Sequence, residues 1–124
     1  MKEEDQDDID NQFLFELYSR DTENKVCADC KVPKPTFSSV NHGILICSNC
    51  AEKHKKLGFN ISYIRDTKAK WDNFLKSFLE LGGNFNFSIF CRDKKLEKME
   101  IEVKYKTKIM QFYRKVVRFF LFYF

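Results

Sequence analysis

The sequence predicts a small α+β domain, a short antiparallel sheet of about three strands surrounded by about five helices. Three observations carry that reading. Two CxxC steps, Cys27 to Cys30 and Cys47 to Cys50, are separated by sixteen residues. Short apolar runs bounded by glycine, proline or asparagine read as strands. Longer stretches repeat apolar residues at three and four, the helical period.

Each CxxC turns two sulfurs the same way, and a connection of this length lets two such knuckles face each other around a tetrahedral ion. Cys27, Cys30, Cys47 and Cys50 therefore read as a closed site for one structural Zn²⁺. Two disulfides or a redox pair are the alternatives; the duplicated spacing and an odd fifth cysteine, Cys91, weigh against them. Lys25, Lys31 and Lys53 stand close enough in sequence to offset four thiolates. At 124 residues the chain suffices for one domain with a modest core. A structural zinc contributes about 10 to 16 kcal/mol of apparent binding free energy, so folding should depend on it.

Before the first knuckle, Ile9, Phe13, Leu14, Leu17 and Tyr18 suit a short helix that covers the metal module. Pro33 and Pro35 keep the connection after Cys30 out of helix and on the surface. Phe37 to Val40 and Ile44 to Ile46 form a predicted hairpin, with a turn at Asn41 to Gly43 where Gly43 takes positive φ. A helix follows from Cys50 to Leu57, ended by Gly58, and then a strand from Phe59 to Ile64. Asp66 or Thr67 would cap the main core helix, along which Trp71, Phe74, Leu75, Phe78 and Leu79 recur until Gly82 and Gly83 stop it. That aromatic stripe reads as packing. Asn84 to Phe90 is a short helix or irregular packed segment, and the charged stretch Arg92 to Glu102 a loop. The last helix is expected to turn Tyr105, Ile109, Phe112 and Val116 inward, with Lys104, Lys106, Lys108, Arg114 and Lys115 filling the rest.

Charge is divided unevenly. Residues 1–10 hold six carboxylates and one lysine and read as an acidic, disordered start; the remainder carries 21 basic and 12 acidic groups. A basic body favours an anionic partner: a membrane face, a nucleic acid, or a nucleotide held by another protein. No phosphate-binding glycine loop or Ser-His-Asp set is present, which turns the search from enzymes towards interaction. No basic-then-apolar leader opens the chain, so a cytoplasmic location is expected. The aromatic run 119–124 is too short to span a bilayer. It reads as an extension of the core face, an interfacial segment, or the cut end of a longer protein.

Pro35, Phe37, Ser39, Gly43-Ile44, Cys47, Cys50, His54, Leu57-Gly58, Ile61-Ser62, Trp71 and Gly83-Asn84 together resemble an ArfGAP domain, the zinc-finger class of GTPase activators for Arf small GTPases. The resemblance covers about Asn11 to Arg118, leaving 1–10 and 119–124 as tails. The final lysine-rich helix is similar to that of Golgi and coat-associated members. The resemblance implies structural zinc, action on GTP held by an Arf-family partner, peripheral contact with Golgi or vesicle membranes or coat protein, and no nucleic acid. It implies a regulator of another protein's hydrolysis rather than an enzyme with its own substrate pocket.

The family's catalytic arginine falls, by the same resemblance, at Lys55. Lysine keeps the charge but loses the planar fork of donors, so activity is expected to be weakened. Phe37 stands for a usual tryptophan and Asp66 for a usual serine. Arg65 matches a partner-facing cation, with a surface salt bridge as the plainer reading. His54 is either a fifth candidate ligand or a hydrogen-bonding support near the partner surface; four cysteines already close the site, which favours support. Two further readings stand beside the activator: a non-catalytic module binding Arf, membrane or coat, and a basic zinc ribbon on nucleic acid.

Overall fold

Strands β1 (Phe37–Ser39), β2 (Ile44–Ile46) and β3 (Ile64–Asp66) form an antiparallel sheet in the order β2-β1-β3. The computed structural model describes residues 12–123; the acidic start, Ile9 and Phe124 lie outside them. Around the sheet stand α1 (12–20), α2 (Ser48–Lys55), α3 (Asn73–Leu81), α4 (Asn84–Asp93), the single turn α5 (Ile101–Lys104) and α6 (Lys108–Tyr123). The predicted class holds, with six helices among the described residues.

Register divides the molecule into two cores. Ser38 stands opposite Leu45 and Arg65, while Phe37 stands opposite Ile46 and Asp66, and Ser39 opposite Ile44 and Ile64. Opposed residues share a face and successive residues alternate. Leu45 accordingly packs with Leu14, Leu17 and Leu79 beneath α1 and α3. The other face carries Ile44 and Ile46 into the larger core of Cys50, Ala51, Phe87, Leu96, Ile101, Tyr105, Met110 and Val117. Tyr105 is fully buried there, stacked on Phe87 at 6.1 Å and against His54 at 4.3 Å.

The hairpin forms as predicted, tightened by a 3₁₀ turn over Val40–His42 that hands over to Gly43 at φ 65°. A side chain at Gly43 would also bring its Cβ to 2.5 Å from the Phe78 carbonyl oxygen, so glycine is required twice over. The outer edge of β2 is completed by a side chain. Asn84 Oδ1 accepts from the Leu45 amide at 2.8 Å while its Nδ2 donates to Leu45 and Val26 carbonyls at 3.0 and 2.8 Å.

Several expected elements shift, each for a local reason. No strand runs from Phe59 to Tyr63: Phe59 is 71% exposed, and Asn41 binds the Ile61 carbonyl and the Tyr63 amide in place of a ladder. Asp72, not Asp66 or Thr67, caps α3, accepting from the Leu75 amide at 2.8 Å; Thr67 ties back to the Thr36 carbonyl instead. Only Leu79 of α3 is buried, so it is a cover rather than the main core helix. The α6 face is rotated by one residue: Met110, Tyr113 and Val117 point inward, whereas Ile109 and Phe112 are exposed. The expected loop after Arg92 buries Leu96 and Ile101. Pro35 is buried rather than on the surface, its carbonyl accepting from the Tyr18 hydroxyl at 2.7 Å.

Candidate functional site

Four sulfurs meet where the two knuckles close. The ligand atoms of Cys27, Cys30, Cys47 and Cys50 all lie within 4.8 Å of one another, and the Cys30 and Cys47 sulfurs are 3.6 Å apart. A tetrahedral site with metal–sulfur bonds of about 2.3 Å puts its sulfurs roughly 3.8 Å apart, so the set fits a single ion. No disulfide joins them. Cys47 also caps α2, its sulfur accepting from the Cys50 amide at 3.4 Å. The positive end of α2 thereby faces the thiolates. The first knuckle is tied to the sheet by the Ala28 amide, which donates to the Leu45 carbonyl at 3.0 Å.

Behind the knuckle lies a polar chain that the sequence reading did not foresee. Asp29, inside the first CxxC, accepts from His54 Nε2 at 2.7 Å, Lys104 Nζ at 2.8 Å and the Tyr105 hydroxyl at 2.6 Å. His54 Nδ1 meets the Ser62 hydroxyl at 2.8 Å, Ser62 meets Ser39 at 2.7 Å, and Ser39 meets His42 Nδ1 at 2.6 Å. Arg114 closes the far end, donating to His42 Nε2 at 3.1 Å and to the Tyr105 carbonyl at 3.0 Å. Because a guanidinium only donates, His42 Nε2 accepts and Nδ1 carries the proton. The hydroxyls then relay donors in one direction, through His54 and onto the Asp29 carboxylate. Burial would raise the Asp29 carboxyl, but the His54 hydrogen bond and the Lys104 ammonium more than offset it and hold it well below the usual range. Burial, with the Asp29 charge beside it, keeps the Tyr105 phenol protonated and donating.

Of the lysines expected near the metal, Lys31 donates to the Ala28 carbonyl, and Lys25 and Lys53 are exposed. The buried cation behind the knuckle is Lys104, 2% exposed, and not part of a solvated helix face. His54 is fully buried and presents no surface; it acts inward, through Ser62 and Asp29.

Lys55 ends α2 and faces solvent, its side chain half exposed. Its ammonium stands 5.8 Å over the Phe37 ring and 3.1 Å from Glu52. Arg65 lies on the opposite face of the sheet. It donates to the Tyr63 hydroxyl at 3.0 Å and to the Lys70 carbonyl, and packs 5.6 Å over the Trp71 ring. Its Nε is buried without a partner, and Asp66 and Glu52 do not pair with it. The two candidate cations are thus not brought together.

The family model ArfGap, described as a putative GTPase-activating protein for Arf, matches residues 11–118. The chain belongs to the ArfGAP family. An ADP-ribosylation factor GTPase-activating protein 3 from Macaca fascicularis is 32% identical over 97 residues, covering 77% of this ArfGAP chain and 19% of that protein. The ADP-ribosylation factor GTPase-activating protein AGD12 of Arabidopsis thaliana is 42% identical over 65 residues, 51% of this chain and 19% of its own. This chain therefore spans about a fifth of the length of those relatives. A crystal structure of a putative GTPase-activating protein for ADP ribosylation factor from Cryptosporidium parvum shares the fold, with a TM-score of 0.80, 23% identity and 93% of each chain covered.

Proposed function

We propose that this ArfGAP domain docks on an Arf-family GTPase holding GTP and presents Lys55 to the phosphates, accelerating hydrolysis weakly. A single Zn²⁺ on Cys27, Cys30, Cys47 and Cys50 would supply structure, fixing the start of α2 and hence the place of Lys55 at its end. The observation that carries the reading is the position of Lys55: one helix length from the metal cluster, solvent-facing, and held by an exposed pair with Glu52 beside the Phe37 ring. An exposed pair of this kind is worth less than about 1 kcal/mol, so the ammonium is released to a phosphate at little cost. The chain from Asp29 through His54 to Ser62 holds α2 rigid from below.

An arginine finger contributes about 10³ to 10⁵ in rate through parallel donors that lysine lacks. The test is single-turnover hydrolysis by a GTP-loaded Arf protein with the native chain, Lys55→Arg and Lys55→Ala. A gain of about a hundredfold or more from arginine, with alanine inactive, supports the reading. Strong stimulation by the native chain that Lys55→Ala leaves intact overturns it and turns attention to Arg65.

The lysine itself favours a second reading, a module that engages Arf, membrane or coat without accelerating hydrolysis. Arf binding that all three proteins share, with no stimulation by any, would select it. Either role fits a cytoplasmic protein recruited peripherally to Golgi or vesicle surfaces, as the family resemblance implies.

A further inference from the structure

Helix α6 has two faces with different business. Its inner line, Met110, Tyr113 and Val117, is buried in the core. Its outer line, Lys108, Phe112, Lys115, Phe119 and Phe122, follows a strict four-three-four-three spacing, which places these residues one above another along the helix. Phe112 is 60% exposed, Phe119 52% and Phe122 64%. The helix contains four basic residues and no acidic one. Beside it opens a groove of about 530 Å³ lined by Phe74, Phe78, Arg114, Lys115, Arg118 and Phe122. There the Arg118 guanidinium lies 6.0 Å over the Phe122 ring.

We infer that the outer face of α6 and its groove form a docking surface for an anionic phospholipid bilayer. Charge complementarity and the interleaving of charge with aromatic rings select this occupant. The centre of a protein–protein interface is depleted of lysine, whereas here Lys108 and Lys115 are interleaved with Phe112 and Phe119 along one line. A helix lying in a membrane interface needs that mixture: rings entering the headgroup and acyl boundary, and basic side chains reaching back to the headgroups. At about 1.5 Å per residue, α6 is too short to cross a hydrocarbon core of about 30 Å, and no described helix is long and apolar enough to do so. It lies flat. The inference does not depend on Lys55 or on any GTPase.

The test is co-sedimentation of the full chain with vesicles of phosphatidylcholine alone, and with roughly a third phosphatidylserine, at physiological ionic strength. Each basic residue at an anionic surface is worth about fivefold in partition, so Lys108, Lys115 and Arg118 predict about a hundredfold preference for the anionic vesicles. Lys115→Ala should lose about fivefold. The double variant Phe112→Ser with Phe122→Ser should lose at least tenfold, with far-ultraviolet circular dichroism unchanged because both rings are exposed. Equal partition onto both vesicles, no partition onto either, or a double variant that binds as well as the native chain overturns the inference. So does tighter binding to a duplex oligonucleotide that the serine variants leave untouched, which would assign these charges to nucleic acid.

Discussion

Replacing Asp29 by asparagine removes the one negative charge on which three buried donors converge. Its carboxylate accepts from His54, Lys104 and Tyr105 within 2.8 Å, and the Asp29 and Lys104 side chains are each 3% exposed. Asparagine preserves the shape but strands the Lys104 ammonium and turns an amide donor towards one of the others. An unpaired buried charge costs about 3 to 5 kcal/mol. The reverse change, Lys104→Met, should cost less, about 1.5 to 3 kcal/mol, because the carboxylate keeps its two other donors. The double variant should be more stable than Asp29→Asn alone, since methionine removes the charge that asparagine left uncompensated. Urea unfolding followed by Trp71 fluorescence, at fixed free zinc so that metal binding contributes equally, measures all three. A cost below about 1 kcal/mol for Asp29→Asn, or a double variant whose losses simply add, would refute the argument.

Chelation should unfold the chain rather than leave a loosened domain, because the knuckles tether both the sheet and α2; loss of far-ultraviolet signal on adding a strong chelator, restored by zinc, checks this. Acid should weaken the fold in a window set by His42. Burial and the neighbouring Arg114 and His54 hold its imidazole well below the ordinary value, with Asp29 pulling the other way. The unfolded chain takes up this proton near pH 6.5 and the folded chain does not, so stability is full above that pH. It falls by up to about 1.4 kcal/mol per unit below it, until the folded histidine titrates as well. Unfolding free energy measured from pH 7.5 downwards, compared with His42→Gln, should show the native slope flattened in the variant.

The metal cluster and the hairpin were legible because their signals are local: cysteine spacing and a glycine at positive φ act within a few residues. The Asp29 chain was not. Lys104 and Tyr105 lie some seventy-five positions from Asp29, and nothing near either one reports that a lysine there is paired and buried. Read by its surroundings, Lys104 belongs to a basic helix face. The α6 stripe failed differently: apolar residues occur on both sides of the helix, Met110, Tyr113 and Val117 on one and Ile109, Phe112 and Phe119 on the other, so hydropathy could not choose the buried line, and packing against Phe87 and Phe90 through Tyr113 decided it. Phe59 to Tyr63 has strand-like alternation, but Asn41 satisfies its backbone from outside the sheet.

Asn84 has one more consequence. By occupying both hydrogen-bonding groups of Leu45, it plugs the side of the sheet where another chain's strand would otherwise add. Growth by strand recruitment is thereby blocked on that flank, and the opposite flank offers only the three residues of β3. The Asn84 amide and the first knuckle, whose Ala28 amide shares the Leu45 carbonyl, together close that edge of the folded domain to a second copy.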